Sequence, residues 1–468
     1  MKKEIVSFAL SLASFQLFAQ GYCIGDTVVF TEPARPVAYD DVVYKTAPQI
    51  DEWFFNVPDN IRLRVYYPTD LPAAERRPLV ILIHGGYFIW GSYLDFDGLA
   101  KSLAEKGFVA ATVGYRLCNR TDCVVARATN YPCNVSWPYS FVPSAYVAAV
   151  DVHDGIRWLQ ERAATYHIDP EKIIVGGHSA GAYTALNVAF MDQDEVQQVI
   201  PSAGVSGKYL GEPLDPVTGI RACIPMAGAI LDLDWIGTKE ITEQGIAVGI
   251  VHGTNDGVVA YDSGPPVPCC QTYGGIVYGG CGIAKHVRAL GGNYYMLTGK
   301  GYGHDIGEPA WAEELAVQLP AFIIRTVVCG KPIEKHSIHE RIPPLPLCPN
   351  NTPNLPAPPV CDLGTTTPPI VTPTHELHLA YANHQLPLSV YPSVTDGSIH
   401  IEALTPEADT TWLLTAMSMD GRVVFRGQLP LDGITTVELS DAPPGVYGLF
   451  FQSAKSGKSG VVRVVKAR

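Results

Sequence analysis

The chain has 468 residues, and 47% of them are hydrophobic. This length exceeds one ordinary globular domain, so we expect several segments and a large hydrophobic core. The formal net charge of −13 at pH 7 argues against nucleic acids and anionic membrane surfaces as partners, because both bind basic faces.

The N-terminus is typical of a secretory signal peptide that spans residues 1–19. Lys2 and Lys3 precede a mostly apolar stretch at 5–17, and Ala19 is a small residue before the expected cleavage point. The apolar run is too short for a membrane span, and no other run approaches the roughly 20 residues that a spanning helix needs. We therefore expect a secreted or cell-surface protein without a membrane span.

The eleven cysteines are expected to form disulfides, since thiols pair in the oxidising compartment that an exported chain enters. Their odd number leaves at least one unpaired within a monomer. Cys223 lies in an apolar, strand-like run and is the expected buried free thiol. No cysteine has the CxxC or His-Cys spacing of a metal site, so no zinc site is predicted.

Residues 20–330 have the pattern of an α/β domain with a mostly parallel sheet that is covered on both faces. Helical patterns at 94–106 and 144–165 separate several of the predicted strands. These strands are apolar, β-branched runs at 79–83, 109–113, 173–175, 246–251 and 293–297.

Two further segments follow the α/β domain. Residues 331–374 are rich in proline, which disrupts helices and strand ladders, and are expected to form an extended linker. Residues 375–468 contain short alternating segments separated by Asp-Gly turn signals, which predict a small antiparallel β-sandwich.

A G-x-S-x-G motif carries the candidate nucleophile, Ser179. An apolar strand runs directly into the sequence Gly-His-Ser-Ala-Gly at 177–181, and a helix-forming run follows at 182–190. Glycines two positions before and after the serine permit the sharp strand-to-helix turn that lifts a nucleophilic serine into a cleft. The helix N-terminus also favours the negative charge that develops there.

The serine hydroxyl needs a base that is oriented by a carboxylate, and the chain order expected for this arrangement is Ser, acid, His. Asp256 lies on the loop after the predicted strand 246–251 and is the expected acid. His304 lies in a glycine-flanked loop after the predicted strand 293–297 and is the expected base.

Other side chains compete for these roles. Asp232 and Asp234 follow another apolar strand and are the alternative acids. His252 precedes the Asp256 loop and is expected to tether that loop rather than to act as the base. His178 adjoins the nucleophile within the turn and is not expected to accept its proton.

Backbone donors for a reacting carbonyl are predicted at two places. The strand at 79–83 ends in His-Gly-Gly-Tyr at 84–87, where glycine permits a substrate to approach the backbone closely. The expected oxyanion hole consists of the N–H of Gly86 or Tyr87 together with that of Ala180, the residue after the nucleophile.

Aromatic side chains surround the expected cleft and suit aromatic acyl groups, sugars or polymer chains. Several belong to a cysteine-containing insertion at about 118–143, which is expected to form a rim. Alternatively, the same aromatic residues form a small satellite core. The predicted substrate-binding residues are Tyr87, Phe88, Trp90, His178 and Trp137.

These motifs resemble the esterase and lipase branch of the α/β-hydrolase superfamily, which carries an HGG oxyanion loop and a GHSAG elbow. The resemblance covers residues 79–310 and includes Gly-Tyr-Arg-Leu at 114–117, which is expected beside the oxyanion loop. Tyr87 stands where hormone-sensitive-lipase-like esterases carry a third glycine, so other carboxylesterase branches, including feruloyl-esterase-like ones, stay open. The resemblance implies a serine carboxylesterase that acts through an acyl-enzyme without a cofactor.

Short-chain esters, feruloylated or acetylated polysaccharide and aromatic polyester are the candidate substrates. A secreted serine peptidase of the same fold is an alternative, although such relatives usually carry an aromatic residue at the position of Ala180. A binding protein on an inactive hydrolase scaffold is a second alternative, in which a triad or oxyanion member would be expected to be lost.

The last segment resembles the sorting domain of the type IX secretion system of Bacteroidetes. The motifs that carry this resemblance are Leu-Ser-Val-Tyr-Pro-Ser at 388–393, Met-Asp-Gly-Arg-Val-Val at 419–424 and Pro-Pro-Gly-Val-Tyr at 443–447. A basic C-terminus follows them. The resemblance implies passage across an outer membrane with the secretion machinery as a partner. A carbohydrate-binding module is the alternative.

Overall fold

The computed structural model describes most of residues 35–363 and the strands of residues 388–466. The first range is described at 35–48, 58–129, 133, 135–136, 140–195, 214, 216–270, 275–306, 318–341, 344–348 and 357–363. The second is described at 388–391, 394–395, 398–403, 411–418, 423–430, 434–438, 445–453 and 459–466. These residues belong to two units, one ending at residue 370 and the other continuing from residue 371. The predicted signal peptide, residues 1–19, lies outside the described residues.

A nine-stranded, mostly parallel sheet forms the centre of the first unit. The described strands are β1 Val37–Pro48, β2 Pro58–Pro68, β3 Arg77–Ile83, β4 Val109–Val113, β5 Ile168–His178, β6 Ile220–Met226, β7 Ala229–Ile230, β8 Ala247–Gly253, β9 Ser263–Gly264, β10 Val277–Gly279, β11 Tyr294–Lys300 and β12 Glu334–Glu340. The order in the sheet is β1-β2-β4-β3-β5-β6-β8-β11-β12, and β7, β10 and β9 form a separate small sheet. Antiparallel ladders join β1, β2 and β4, and all the other neighbours in the large sheet are parallel. The predicted α/β fold class is confirmed.

Helices connect the strands and cover the sheet. They are α1 Asp97–Glu105, α2 Thr121–Thr129, α3 Val142–Glu161, α4 Ala163–Tyr166, α5 Ala180–Phe190 and α6 Gly280–Ala289. Shorter turns are the 3-10 helix Leu233–Trp235 and the π-helices Lys239–Glu243 and Ile324–Val328. No helix within the described ranges combines the length and the apolar character that crossing a membrane requires.

Strand β3 shows that both faces of the sheet are buried. Leu79, Ile81 and Ile83 belong to a buried cluster with residues of α3 and α5, whereas Val80 and Leu82 belong to a second cluster with residues of α1. Successive side chains of a strand point to opposite faces, so the whole strand is apolar. This burial explains why the central strands were predictable from continuous apolar runs.

The predicted domain boundary at residue 330 is wrong, because β12 extends the sheet beyond it. This strand pairs in parallel with β11 along its whole length of seven residues. Its sequence, Glu-Lys-His-Ser-Ile-His-Glu, contains no apolar run, because it lies at the sheet edge and is only partly buried. Charged side chains are tolerated at sheet edges. The stretch predicted as a linker therefore begins with a part of the α/β unit.

Disulfides attach more of the predicted linker to the same unit. The pairs between described cysteines are Cys118–Cys123, Cys133–Cys270, Cys269–Cys348 and Cys281–Cys361. The last two pairs hold the segments 344–348 and 357–363. Cys223 is free and buried, as predicted. Disulfides persist in oxidising environments, so these pairs are consistent with an extracellular protein.

The second unit is built from β-strands. They are β13 Leu388–Tyr391, β14 Val394–Thr395, β15 Ser398–Ala403, β16 Thr411–Ser418, β17 Val423–Pro430, β18 Ile434–Glu438, β19 Gly445–Ser453 and β20 Ser459–Lys466. One sheet has the order β13-β15-β18 and the other the order β14-β20-β19-β16-β17. The ladders are antiparallel except for the parallel pair β14–β20. The described residues of this segment have the predicted β-structure.

Candidate active site

Ser179 lies at the sharp turn between β5 and α5 in a strained backbone conformation. Its φ is 57° and its ψ is −123°, and such sparsely populated conformations cost about 1–3 kcal/mol. The flanking glycines are required by close contacts. A Cβ on Gly177 would lie 2.4 Å from the carbonyl oxygen of Gly181, and one on Gly181 would lie 2.1 Å from that of Ile83. The turn therefore presents Ser179 at the carboxyl end of β5, as the motif predicts.

His304 and Asp256 lie next to Ser179, although the three residues are far apart in the chain. His304 Nε2 lies 2.8 Å from Ser179 Oγ, and His304 Nδ1 lies 2.8 Å from Asp256 Oδ2. Nδ1–H thus donates to the carboxylate, and Nε2 is the acceptor for the serine hydroxyl. The alternative acids lie elsewhere, on a 3-10 turn where the Asp232 carboxylate accepts a hydrogen bond from the Asp234 N–H. In the described part of the chain, no group of three or more His, Cys, Asp or Glu side chains could hold a metal ion.

Asp256 is buried and accepts four hydrogen bonds. Its Oδ1 accepts from the backbone N–H groups of Val258 and Val259 at 2.8 and 2.9 Å. Its Oδ2 accepts from His304 at 2.8 Å and from Nε2 of His252 at 3.1 Å. Two donors on each oxygen fix the plane of the carboxylate and therefore the direction in which it orients the His304 ring.

His252 is a second histidine on this carboxylate. Its Nδ1 accepts from the N–H of Gly280 at 3.1 Å, so the proton of the neutral ring lies on Nε2 and is donated to Asp256. Burial alone would raise the pKa of Asp256, but the charge of His304 and the hydrogen bonds from both histidines hold that pKa well below its ordinary value. The predicted tether thus acts on the Asp256 side chain itself.

His178, predicted to bind substrate, contacts the His304 loop. Its Nε2 donates to the carbonyl oxygen of His304 at 2.9 Å, and the two ring centroids lie 4.8 Å apart. Burial, followed by the charge of His304, lowers the pKa of His178 to about 4. A neutral ring at pH 7 can keep this hydrogen bond without an unpaired buried charge. The contact gives His178 a part in holding His304 in place.

The predicted oxyanion loop has an unusual backbone. Gly86, Tyr87 and Phe88 adopt positive φ values of 104°, 55° and 62°. Residues with a Cβ rarely adopt this left-handed region, so the loop backbone is strained at Tyr87 and Phe88. The Gly86 carbonyl accepts hydrogen bonds from the N–H groups of Ile89 and Trp90 at 2.9 and 2.8 Å, which close the turn.

This loop lies directly against the nucleophile. A Cβ on Gly85 would lie 3.1 Å from the Ser179 Cβ and 2.9 Å from the His178 carbonyl oxygen. Ala180 follows the nucleophile as the first residue of α5. The segments that carry the predicted oxyanion donors, Gly86 or Tyr87 and Ala180, therefore meet at Ser179.

Tyr115, which lies next to a buried ion pair, contacts the start of the oxyanion loop. The hydroxyl of Tyr115 donates to the His84 carbonyl at 3.0 Å, and the two rings stack with centroids 4.3 Å apart. Next to Tyr115, Arg116 binds Asp151 of α3 through Nη2 at 2.7 Å and Nε at 2.9 Å. Asp151 was not among the residues predicted from the sequence, and its signal is an acidic residue directly after the apolar run 145–150.

The predicted substrate-binding aromatic residues have different environments. Phe88 is fully buried and makes an edge contact with Phe141, with ring centroids 4.9 Å apart. Its assignment to the cleft is therefore wrong, and Phe88 and Phe141 belong to the large hydrophobic core rather than to a small satellite core. Tyr87 and Trp90 are partly exposed and lie edge to face at 6.2 Å. Trp137 lies outside the described residues.

Known sequences are similar to part of this chain. The BD-FAE family model matches residues 63–209, which include the 84–88 loop and Ser179. The chain is 25% identical to carboxylesterase 1D of Mus musculus over 174 residues, which are 36% of this chain and 28% of that protein. It is 26% identical to the non-reducing polyketide synthase atr1 of Stereocaulon alpinum over 137 residues, 28% of this chain and 5% of that protein. The chain thus spans less than a third of the length of these curated relatives.

Among solved structures, esterase 2 of Thermogutta terrifontis phosphorylated by paraoxon is similar to this chain. The identity is 19%, the TM-score is 0.40, and the match covers 61% of this chain and 94% of that chain. The sheet order and the strand–turn–helix arrangement at Ser179 give the first unit an α/β-hydrolase fold.

Proposed function

We propose that this chain is a carboxylic ester hydrolase that acts through a triad of Ser179, His304 and Asp256. The observation that carries this proposal is the unbroken path from Asp256 Oδ2 through both ring nitrogens of His304 to Ser179 Oγ, with two contacts of 2.8 Å. The match to the BD-FAE model and the similarity to carboxylesterases support ester hydrolysis as the reaction.

In the proposed reaction, His304 Nε2 removes the hydroxyl proton of Ser179 while Oγ attacks the carbonyl carbon of the ester. The oxyanion that forms accepts hydrogen bonds from the N–H groups of Ala180 and of residues 86–87, each worth about 3–4 kcal/mol. The imidazolium, stabilised by Asp256, protonates the departing alkoxide and leaves an acyl-enzyme. Water, deprotonated by His304, then attacks the acyl carbon, and the carboxylic acid and the free serine are released.

Three substrate classes fit this proposal: short-chain esters, feruloylated or acetylated polysaccharide, and aromatic polyester. Tyr87 and Trp90, both partly exposed beside the oxyanion loop, support a substrate with an aromatic or sugar ring next to the ester. A panel of p-nitrophenyl esters of increasing chain length, methyl ferulate and acetylated xylan separates the first two classes.

Ser179→Ala is the direct test. We expect kcat/KM for p-nitrophenyl acetate to fall by about 10⁴- to 10⁶-fold, because the nucleophile is removed, with an unchanged far-UV circular dichroism spectrum. Ser263→Ala, which alters an exposed serine on β9, is the matched control and should keep wild-type activity. Retention of activity by Ser179→Ala would refute the proposal.

Two alternatives are separated by measurements on the wild-type protein. A serine peptidase would cleave aminoacyl amides, which the proposed esterase would leave intact. A binding protein on a hydrolase scaffold would neither hydrolyse esters nor react with a fluorophosphonate probe, whereas the proposed enzyme is labelled at Ser179.

We also propose that the chain is exported to the cell surface or the medium, with the secretion machinery as its partner. The signal-peptide pattern of residues 1–19 and the similarity of residues 375–468 to type IX sorting domains support this proposal. Four disulfides between described cysteines agree with an oxidising compartment.

A further inference from the structure

A closed ring of four hydrogen bonds joins the loops of the proposed acid and base to residues 344–348, a segment after β12 that we call the strap. The Gly301 N–H donates to Thr254 Oγ1 at 2.9 Å, and the Thr254 hydroxyl donates to Asn255 Oδ1 at 2.8 Å. Asn255 Nδ2 donates to the Leu345 carbonyl at 2.5 Å, and the Leu345 N–H donates to the Gly301 carbonyl at 2.8 Å. A shift of any one segment therefore breaks a bond in the ring.

Backbone contacts reinforce the connection between the two loops. The N–H of Thr254 donates to the Gly299 carbonyl, and that of Asn255 donates to the Tyr302 carbonyl, both at 2.8 Å. Thr254 is 2% exposed and Asn255 is 9% exposed. Since water has little access to these groups, the hydrogen bonds are strengthened by the low local dielectric and hold a defined geometry.

The strap is itself fixed to the acid loop. Cys348, the last residue of the strap, forms a disulfide with Cys269. The N–H of Cys269 in turn donates to the Gly257 carbonyl at 3.1 Å. A Cβ on Gly257 would lie 2.0 Å from the Leu347 carbonyl oxygen, so strap and loop are in direct backbone contact. The strap thus has a covalent and a packed anchor on the loop that it bridges.

We propose that Thr254 and Asn255 are positioning residues for the proposed reaction and that the strap anchors them. Asp256 directly follows these two residues, and His304 shares its loop with Gly301, so the ring sets the 2.8 Å contact between the carboxylate and the imidazole. A displacement of about 1 Å in such an arrangement lowers a rate by about 100-fold. This inference rests on the proposed function and gives the segment after β12 a part in it.

The test compares Thr254→Val with Thr254→Ser in the full chain. Valine has nearly the shape of threonine but lacks the hydroxyl, whereas serine keeps it. We expect Thr254→Val to lower kcat for p-nitrophenyl acetate about 10- to 100-fold, with KM changed less than twofold. Thr254→Ser should keep most of the wild-type kcat. Should Thr254→Val fail to fold, Asn255→Ala removes the donor to Leu345 and tests the same ring.

Hydrogen exchange gives a readout that is independent of activity. The amides of residues 299–306 should exchange faster in Thr254→Val than in the wild type or Thr254→Ser. The proposal is overturned if Thr254→Val keeps the wild-type kcat and only its resistance to urea unfolding falls. That result would give the Thr254 hydroxyl a purely structural role. A wild type without esterase activity would refute the proposed function instead. Hydrogen exchange alone would then decide the inference, and unchanged protection of residues 299–306 would overturn it.

Discussion

His304, His252 and His178 lie at the proposed site, and only the first two contact its buried carboxylate, Asp256. His304 and His252 both donate to Asp256 Oδ2, and the two hydrogen bonds add to the stabilisation of its negative charge. His178 donates to a carbonyl oxygen, which stabilises a positive ring much less than a carboxylate does. His178 therefore stays neutral, and His304 is the ring placed to carry a proton between Ser179 and the substrate.

Replacing His178 with glutamine is expected to remove part of the acid sensitivity of the protein. Burial and then the charge of His304 lower the pKa of His178 to about 4 in the folded state, against about 6.5 in the unfolded chain. Its contribution to stability is present above pH 6.5 and is lost as the pH falls towards 4, because the unfolded state binds the proton first. Glutamine retains an N–H donor for His304 but does not titrate.

Urea unfolding at pH 7.5 and pH 4.5 measures this effect. The free energy of unfolding should drop between the two pH values by about 2–3 kcal/mol more in the wild type than in His178→Gln. Equal drops in the two proteins would contradict the assignment of a neutral His178 with a lowered pKa.

The proposed triad lies on the connections that follow β5, β8 and β11. Since the carboxyl ends of parallel strands share one edge of a sheet, Ser179, Asp256 and His304 were predictable from strand pattern and chain order. The groups that orient them were not. Gly280, at the start of α6, sets the tautomer of His252, and nothing in the local sequence indicates that these two segments meet.

The buried carboxylate of Asp151 on α3 pairs with cations from two other segments of the α/β unit. Asp151 faces the guanidinium of Arg116 and, at 2.8 Å, the ammonium of Lys45. Asp151→Asn is expected to lower the free energy of unfolding by about 3–5 kcal/mol, because two largely buried cations lose their shared anion. Asp154→Asn alters a more exposed partner of Lys45, with 27% exposure, and should cost about 1 kcal/mol or less. Urea unfolding at pH 7 checks both values, and similar losses would contradict the argument.

The α/β unit as a whole is longer than its hydrophobic pattern indicates. The strands β3, β4 and β8 are buried throughout and appear as continuous apolar runs, whereas only His336 and Ser337 of β12 are buried. An edge strand needs little apolar surface, so its sequence resembles that of a linker. The proline-rich sequence after β12 also favours a linker. The spacing of the cysteines does not show which of them pair across residue 330.

Two truncated chains test where the unit ends. A chain of residues 20–330 lacks β12 and the strap, whereas a chain of residues 20–370 retains the first unit. In the shorter chain β11 becomes the sheet edge, and both Cys269 and Cys281 lose their disulfide partners. Loss of one native disulfide typically costs about 2–5 kcal/mol, and the whole free energy of unfolding of an ordinary domain is about 5–15 kcal/mol.

Both chains are to be produced in an oxidising compartment and compared by urea unfolding and by hydrolysis of p-nitrophenyl acetate. The 20–370 chain should unfold cooperatively and keep the kcat of the full chain. The 20–330 chain should aggregate or be degraded, because it exposes the edge of β11 next to the loop of His304 and leaves two thiols unpaired. A soluble 20–330 chain with the same unfolding midpoint would show that the polar strand and the strap contribute no stability.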